Sequence, residues 1–83
     1  MSVALLASGV IELKGACAVE DAEVLLQLLL DTPHAQVDWR NCQSAHLAVV
    51  QVLLAANLVP IGPPASDFLK DQVAPLMKGT RQN

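Results

Sequence analysis

Aromatic residues are scarce in this chain. Of its 83 residues only Trp39 and Phe68 are aromatic, and tyrosine is absent. A core must therefore be built from Leu, Val, Ile and Ala, which pack densely in well-defined rotamers. The length allows one domain, spanning residues 1–83, that can bury a single core without disulfides or metals.

Basic residues are few as well. Five Lys and Arg residues stand against eight Asp and Glu residues, which gives a formal net charge of −3 at pH 7. The basic residues are scattered along the chain: Lys14, Arg40, Lys70, Lys78 and Arg81. Because a nucleic-acid surface needs clustered Lys and Arg to neutralise phosphates, we expect no nucleic-acid partner.

Long apolar runs and a cysteine framework are missing. No stretch approaches the length that crosses a bilayer, and the N-terminus lacks the basic region, apolar run and cleavage site of a signal peptide. Two cysteines, Cys17 and Cys42, are too few for a disulfide framework. These features predict a cytoplasmic protein with reduced thiols and no direct membrane insertion.

Motifs for phosphate binding and for hydrolysis are also missing. The four glycines are widely spaced: Gly9, Gly15, Gly62 and Gly79. Such spacing excludes a glycine-rich phosphate loop. The acids at residues 20–23 cluster at one predicted helix start, where they suit the positive end of the helix dipole better than a catalytic carboxylate pair. We expect no cofactor, no metal site and no catalytic residue.

What the sequence does contain is an alternation of strand and helix patterns. Strands are predicted at residues 3–6, 10–14, 35–39 and 58–61, and helices at about 20–31, 44–56 and 66–77. The order β-β-α-β-α-β-α indicates an α/β fold with a four-stranded mixed sheet and three helices. We expect the first two strands to pair as a hairpin, Gly15 to end the second strand, the third strand to be central and Pro60 to place the fourth at an edge.

Capping residues predict the helix ends. Pro33 should stop the first helix, Asn57 should cap the end of the second and Ser66 the start of the third. The apolar stripe of the third helix is predicted to include Phe68, Leu69, Val73, Leu76 and Met77. We expect the tail from residue 78 to residue 83 to be frayed.

Residues 37–51 are the most informative segment. They indicate a short buried strand, a polar turn at residues 40–41 and a helix that opens at about Ser44. A strand-to-helix turn of this kind points unpaired N–H groups and the positive helix end outward, so small α/β domains present working residues there. The candidate residues are Asp38, Asn41, Cys42, Ser44, His46 and Leu47. We expect them to form a solvent-facing loop that binds a partner.

Each chemical interpretation of these residues has a structural alternative. Asp38 suits a cation, but we favour a cap on the helix turn through Asn41 or neighbouring N–H groups. Cys42 and His46 would share a helix face as a thiolate–imidazole pair or as two metal ligands, but a small buried Cys beside a polar loop His is the commoner arrangement. Ser44 is a phosphorylation candidate, but an N-cap is favoured.

Three further features bear on contacts with other molecules. In the first helix, Val24 and Leu28 widen the apolar stripe, so this helix should be covered on two sides or lie at an interface. Trp39 fits either the core or an interface anchor. Gln51, within an apolar helix, either bonds a buried backbone group or reaches a partner surface.

The chain resembles the STAS domain family over roughly residues 9–77. Residues 11–15 (IELKG) resemble the family's second strand with its terminal glycine. Residues 37–39 (VDW) resemble its strand with an acid between two apolar residues, and residues 47–55 its apolar helix. The trio Cys42, His46 and Gln51 also resembles a pattern of short STAS-like proteins.

The switch motif of the family is an Asp-Ser or Asp-Thr pair followed closely by Gly-Leu, and its hydroxyl is phosphorylated in anti-sigma-factor antagonists. Counted without gaps from Asp38, the acid position falls on His46 and the hydroxyl position on Leu47, so the phosphoacceptor is missing. A gapped alignment places Ser44 at the hydroxyl position. We prefer the ungapped alignment, since a deletion needs separate support.

The resemblance implies a non-catalytic protein–protein interaction domain in bacterial signalling, similar to an anti-sigma-factor antagonist but not phosphorylated at the usual site. Its partner would be an anti-sigma kinase-like or other signalling protein. The alternative is a small STAS subunit of a lipid-transport ABC system, with a transporter subunit as partner. A small thiol enzyme using Cys42 and His46 ranks third, and a homodimer remains open.

Overall fold

A computed structural model describes residues 2–79 of the chain. Strands β1 (Val3–Leu5) and β2 (Val10–Cys17) are followed by helix α1 (Val19–Asp31), strand β3 (Gln36–Ala45) and helix α2 (Leu47–Ala55). The last helix, α3, is a π-helical segment, Leu69–Val73, continued by an α-helical segment, Ala74–Gly79. The rest of the tail, residues 80–83, lies outside the described part, so its expected fraying stays a prediction.

The described residues form a three-stranded mixed sheet in the order β1-β2-β3. β1 pairs with β2 antiparallel, as the hairpin prediction requires, and β2 pairs with β3 parallel across α1. The α/β class is therefore confirmed. The prediction that the third strand is central was wrong, because β2 holds that place.

The predicted fourth strand is reduced to one residue. Ile61 forms an isolated parallel bridge with Asp38, in which its N–H donates to Val37 O at 2.7 Å and its carbonyl accepts from Trp39 N at 3.1 Å. Pro60 has no N–H to extend such a ladder, so pairing stops at this bridge.

β3 is longer than predicted and contains two bulges. Between Asp38 and Asn41 it has one residue more than β2 has between Glu12 and Lys14, and the same happens again between Cys42 and Ser44. Each extra residue bends the strand and shifts its alternation. As a result the predicted turn at residues 40–41 and the predicted start of the helix are both strand.

Local signals do set the helix ends. Asp21 Oδ2 accepts from Ala18 N–H at 2.7 Å at the start of α1. Asn57 has φ 57° after α2, where Leu58 N–H donates to Leu53 O and Asn57 N–H to Leu54 O, the paired bonds of a Schellman ending. Ser66 Oγ accepts from Leu69 N–H at 3.3 Å. The Asn57 and Ser66 predictions are thus confirmed.

One face of the sheet carries the core. Buried residues of β2 and β3, such as Ile11, Leu13, Val37 and Trp39, alternate with residues that point to the opposite face. The helices close this core with Leu25, Val49, Val50, Leu53, Leu69, Val73 and Met77. Trp39 is 2% exposed and so belongs to the core. Phe68 and Leu76, predicted in the α3 stripe, are instead exposed.

The wide turn of α3 has a local cause. Pro75 follows the π-helical segment, and in a regular α-helix its ring would press on the carbonyl of Asp71. Ala74 N–H bonds the carbonyl of Leu69, five residues back, which widens the helix just before the proline. Within residues 2–79, none of the helices is both long and apolar enough to span a membrane.

Candidate interaction surface

The β3–α2 junction lies at His46, two residues later than predicted. His46 N–H donates to the carbonyl of Cys17 at 2.8 Å, and its Nδ1 accepts from Ala48 N–H at 3.0 Å. The imidazole is therefore the N-cap of α2, and the end of β2 holds the residue that starts the helix. Sequence reasoning missed this cap because His is not among the preferred N-cap residues.

Most of the predicted loop is solvent-exposed although it is strand. Ser44 lies in β3 with an exposed side chain, so the prediction that it caps the helix was wrong. His46 is exposed, and Leu47, the first residue of α2, is 65% exposed. An apolar side chain of that size left in water at a helix start is a candidate contact for another molecule.

Cys42 differs from its neighbours because it is fully buried. Its Sγ lies 3.8 Å from Cys17 Sγ, and it donates to the carbonyl of Ser44 at 3.3 Å. Cys42 therefore points into the core from a strand, and the prediction that it shares a helix face with His46 was wrong. The alternative of a small buried Cys is the arrangement observed.

The two thiols perturb each other. A hydrogen bond with Cys42, together with burial, raises the pKa of Cys17. The S–H of Cys17 lowers the pKa of Cys42 against the opposing effect of burial. One proton shared between two sulfurs produces both directions, since the first ionisation is eased and the second is opposed.

Asp38 forms a local ion pair on the open face of the sheet. Its Oδ1 accepts from Arg40 N at 3.0 Å and Nε at 3.1 Å, and its Oδ2 lies 2.7 Å from Nη2. These bonds, chiefly those of the guanidinium, hold the pKa of Asp38 below its ordinary value. Asp38 was expected to cap the helix turn through Asn41 or nearby N–H groups; its bonds fasten the first bulge of β3 instead.

Asn41 joins the two parallel strands on the same open face. Its Nδ2 donates to Glu12 Oε2 at 3.2 Å, and both side chains lie outside the core. The contact crosses from β3 to β2 one residue beyond Arg40. Asn41 therefore stabilises pairing at the bulge and is not at the tip of a loop.

An open apolar groove of about 860 Å³ runs between α1 and α2. Its lining comes from both helices and from the segments that follow them: Val19, Ala22, Glu23, Leu26, Leu29, Leu30, Pro33, Ala48, Gln51, Val52, Ala55, Ala56 and Leu58. Leu26 and Leu30 are 46% and 65% exposed, so the wide stripe of α1 leaves one side uncovered. Gln51 is exposed on this surface and does not bond a buried group.

Charge around the groove has one sign. α1 contains the acids Glu20, Asp21, Glu23 and Asp31 and no Lys or Arg, while α2 has no charged residue at all. Glu20, Glu23 and Asp31 are exposed. Glu23 also lines the groove, and neither helix carries a Lys or Arg that could neutralise these carboxylates. Among residues 2–79, no three His, Cys, Asp or Glu side chains converge on a metal position.

The chain matches no protein-family model, and no curated protein or solved structure matches it either. The STAS resemblance therefore depends on the sequence segments quoted above. The name α1/α2 surface is used below for Leu47, His46 and the groove between α1 and α2.

Proposed function

We propose that this chain is a non-catalytic protein-interaction domain of the STAS type that acts in the cytoplasm of a bacterium. Its α1/α2 surface binds an amphipathic helix that belongs to a protein partner. The single observation that carries the proposal is the open apolar groove between α1 and α2, in which Leu26 and Leu30 are exposed.

Apolar exposure supports the choice of surface. Leu26 and Leu30 line the groove and are 46% and 65% exposed, and the 65% exposed Leu47 precedes Ala48, which also lines it. A contiguous apolar patch of this kind on a small domain marks an interaction site more often than a solvated face. An amphipathic helix laid in such a groove would place its anchors at helical spacing.

Charge supports the choice of partner. Because Glu23 lines the groove and α1 carries three further acids and no Lys or Arg, the partner helix should carry Lys or Arg along the edge that faces α1. The mechanism is surface complementarity. Binding is constitutive, because the ungapped alignment has no hydroxyl at the switch position.

The STAS assignment has its own support. The order β-β-α-β-α up to residue 55 and the apolar helix after β3 agree with what the resemblance implies. The bridge at Ile61 occupies the edge of β3 where a fourth strand would lie. The third-ranked alternative, a thiol enzyme using Cys42 and His46, is disfavoured because the Cys42 sulfur is buried and bonded to Cys17 and Ser44 instead of to an imidazole.

Site-specific photocrosslinking in cells tests the proposal. A crosslinking residue replaces Leu47 in one variant and Phe68 in another. The two side chains are matched because both are 65% exposed. Phe68 directly precedes α3 and does not line the groove, so it serves as the control. We expect one specific protein adduct from position 47 that position 68 does not give. The captured protein is then purified and its affinity for the domain is measured.

Matched substitutions measure how much each contact contributes to the free energy of binding. Leu47→Glu should weaken binding of the captured protein about tenfold or more, as expected for an apolar anchor, whereas Phe68→Glu should leave it unchanged. Glu23→Lys should weaken binding most at low salt. Equal effects of the two apolar substitutions, or a chain that binds only a second copy of itself through this surface, would contradict the proposal. A nucleotide-binding ATPase subunit as the captured protein would instead favour the transport-complex hypothesis.

A further inference from the structure

The two cysteines of this chain meet inside the sheet. Cys17 ends β2 and Cys42 lies in the neighbouring parallel strand, where its backbone pairs with Gly15. The bulge between Asp38 and Asn41 shifts the alternation of β3 so that Cys42 points inward beside Cys17, and the two Sγ atoms are 3.8 Å apart. Their exposed fractions are 3% and 0%, so both cysteines belong to the core.

We propose that Cys17 and Cys42 form a reversible dithiol–disulfide site that links β2 to β3 on oxidation. A disulfide needs an S–S distance of about 2.05 Å, so the sulfurs must approach by roughly 1.8 Å. Both already lie in the core on adjacent strands. The cost is the hydrogen bond from Cys42 to Ser44 O.

The oxidant is a small peroxide, and the reaction balances without another reagent. The Cys42 thiolate attacks one peroxide oxygen, the O–O bond breaks, and a sulfenic acid and hydroxide result. The hydroxide takes up the proton that the Cys42 thiol released and becomes water. Cys17 sulfur then attacks the sulfenic sulfur, the S–O bond breaks, and a second water leaves with the remaining thiol proton. The two sulfurs lose two electrons, which reduce the peroxide. The Cys17 S–H that lowers the pKa of Cys42 favours this order.

Access to the sulfurs is limited by the start of the chain. The carbonyl of Ser2 lies 3.9 Å from Cys17 Sγ, Ser2 Oγ donates to Ala16 O at 2.9 Å, and the carbonyl accepts from Lys14 N–H at 2.8 Å. An oxidant reaches the pair when these few bonds at the sheet edge open. Such edge openings cost much less than global unfolding.

The test is to oxidise the purified full chain with hydrogen peroxide and follow its intact mass and free thiols. We expect both thiols to disappear together, a peptide map with Cys17 linked to Cys42, and full recovery on reduction. The His46 amide resonance should move on oxidation, because that N–H donates to the Cys17 carbonyl. Cys17→Ser, as the control, should give sulfenic or further oxidised Cys42 and no intramolecular link.

A second measurement separates the role of the fold from simple reactivity. Equilibration with reduced and oxidised glutathione gives the effective concentration of the thiol pair, in buffer and in strong urea. The folded chain should exceed the unfolded chain about tenfold or more, because the strands hold the sulfurs together. A lower value in the folded chain would overturn the proposal, as would disulfides that form only between molecules, or oxidation of either cysteine alone to sulfinic acid.

Discussion

Gly62 lies directly against the indole ring of Trp39. A Cβ added at Gly62 would overlap the indole Nε1 and come within 3.1 Å of Cδ1. The two residues are also close along the backbone, because Trp39 N–H donates to the carbonyl of Ile61. The segment after α2 is therefore fixed to the edge of β3 by one backbone bridge and one ring contact.

This contact predicts the effect of Gly62→Ala. Because the indole is buried and cannot swing outward, the extra methyl should destabilise the fold by about 1–3 kcal/mol, measured by urea denaturation. Trp39→Phe removes the clashing nitrogen. Gly62→Ala should therefore cost less in that background, and simple additivity of the two substitutions would contradict the proposed contact.

The imidazole cap of α2 predicts a second effect. His46→Ala removes the acceptor for Ala48 N–H and should lower the free energy of unfolding by about 1 kcal/mol, while His46→Asn should restore most of it. Ser44→Ala is the matched control, because Ser44 is an exposed strand residue. Ser44→Ala should lower the free energy of unfolding by no more than about 0.5 kcal/mol. A larger loss for Ser44→Ala than for His46→Ala would show that His46 is not the N-cap of α2.

The ion pair of Asp38 predicts a pH dependence. Its pKa is lowered by folding, so its contribution to stability is present above the ordinary value of 3.8 and is lost as the pH falls through the folded-state pKa. Arg40→Met should raise the pKa of Asp38 toward 3.8 without reaching it, since the backbone N–H of residue 40 still donates to Oδ1. Carboxyl ¹³C NMR titration measures both values. An unchanged Asp38 titration in the variant would show that the guanidinium does not act on this carboxylate.

Gly15 predicts a cost that comes from the backbone alone. Gly15 has φ 69° at the second irregularity of the β2–β3 ladder. Apart from the residue itself and its two chain neighbours, no atom lies within 4 Å of a Cβ placed there. Gly15→Ala should therefore lose about 1 kcal/mol through left-handed strain. Gly15→Asn should lose less, since Asn tolerates this region. Equal unfolding midpoints for Ala and Gly at this position would show that the backbone relaxes.

The features that the sequence predicted correctly have local causes. Pro33 follows the end of α1, Asn57 adopts the left-handed conformation after α2, and Ser66 accepts from Leu69 N–H. Each depends on residues within one helical turn. The hairpin of β1 and β2 was also predictable, since only a short connection separates two apolar runs.

The features that failed depend on pairing between distant residues. Asn41 and Ser44 suggest a loop because they are polar, but β2 extends past Gly15 and offers a partner strand to both. Polar residues then occupy the open face of the sheet, where water solvates them. The contact between Cys17 and Cys42 follows from this same register, which no window of the sequence contains.

The groove was only partly predictable. The wide apolar stripe of α1 indicated an interface or a second covered side; Leu26 and Leu30 are exposed, so no second side is covered within the described residues, and the interface stays a prediction. Which residues of α2 would face it was hidden, because a helix that is apolar nearly all round gives no direction to its buried side.

The central position of β2 also affects how this chain can acquire its fold during synthesis. β1 and β2 are separated by four residues, so they can pair as soon as both have left the ribosome. A lone hairpin is only marginally stable in water. The other edge of β2 and the apolar residues Ile11 and Leu13 have no cover until α1 and β3, which ends at Ala45, have emerged. Translation must therefore pass Ala45 before this sheet can shield its own interior.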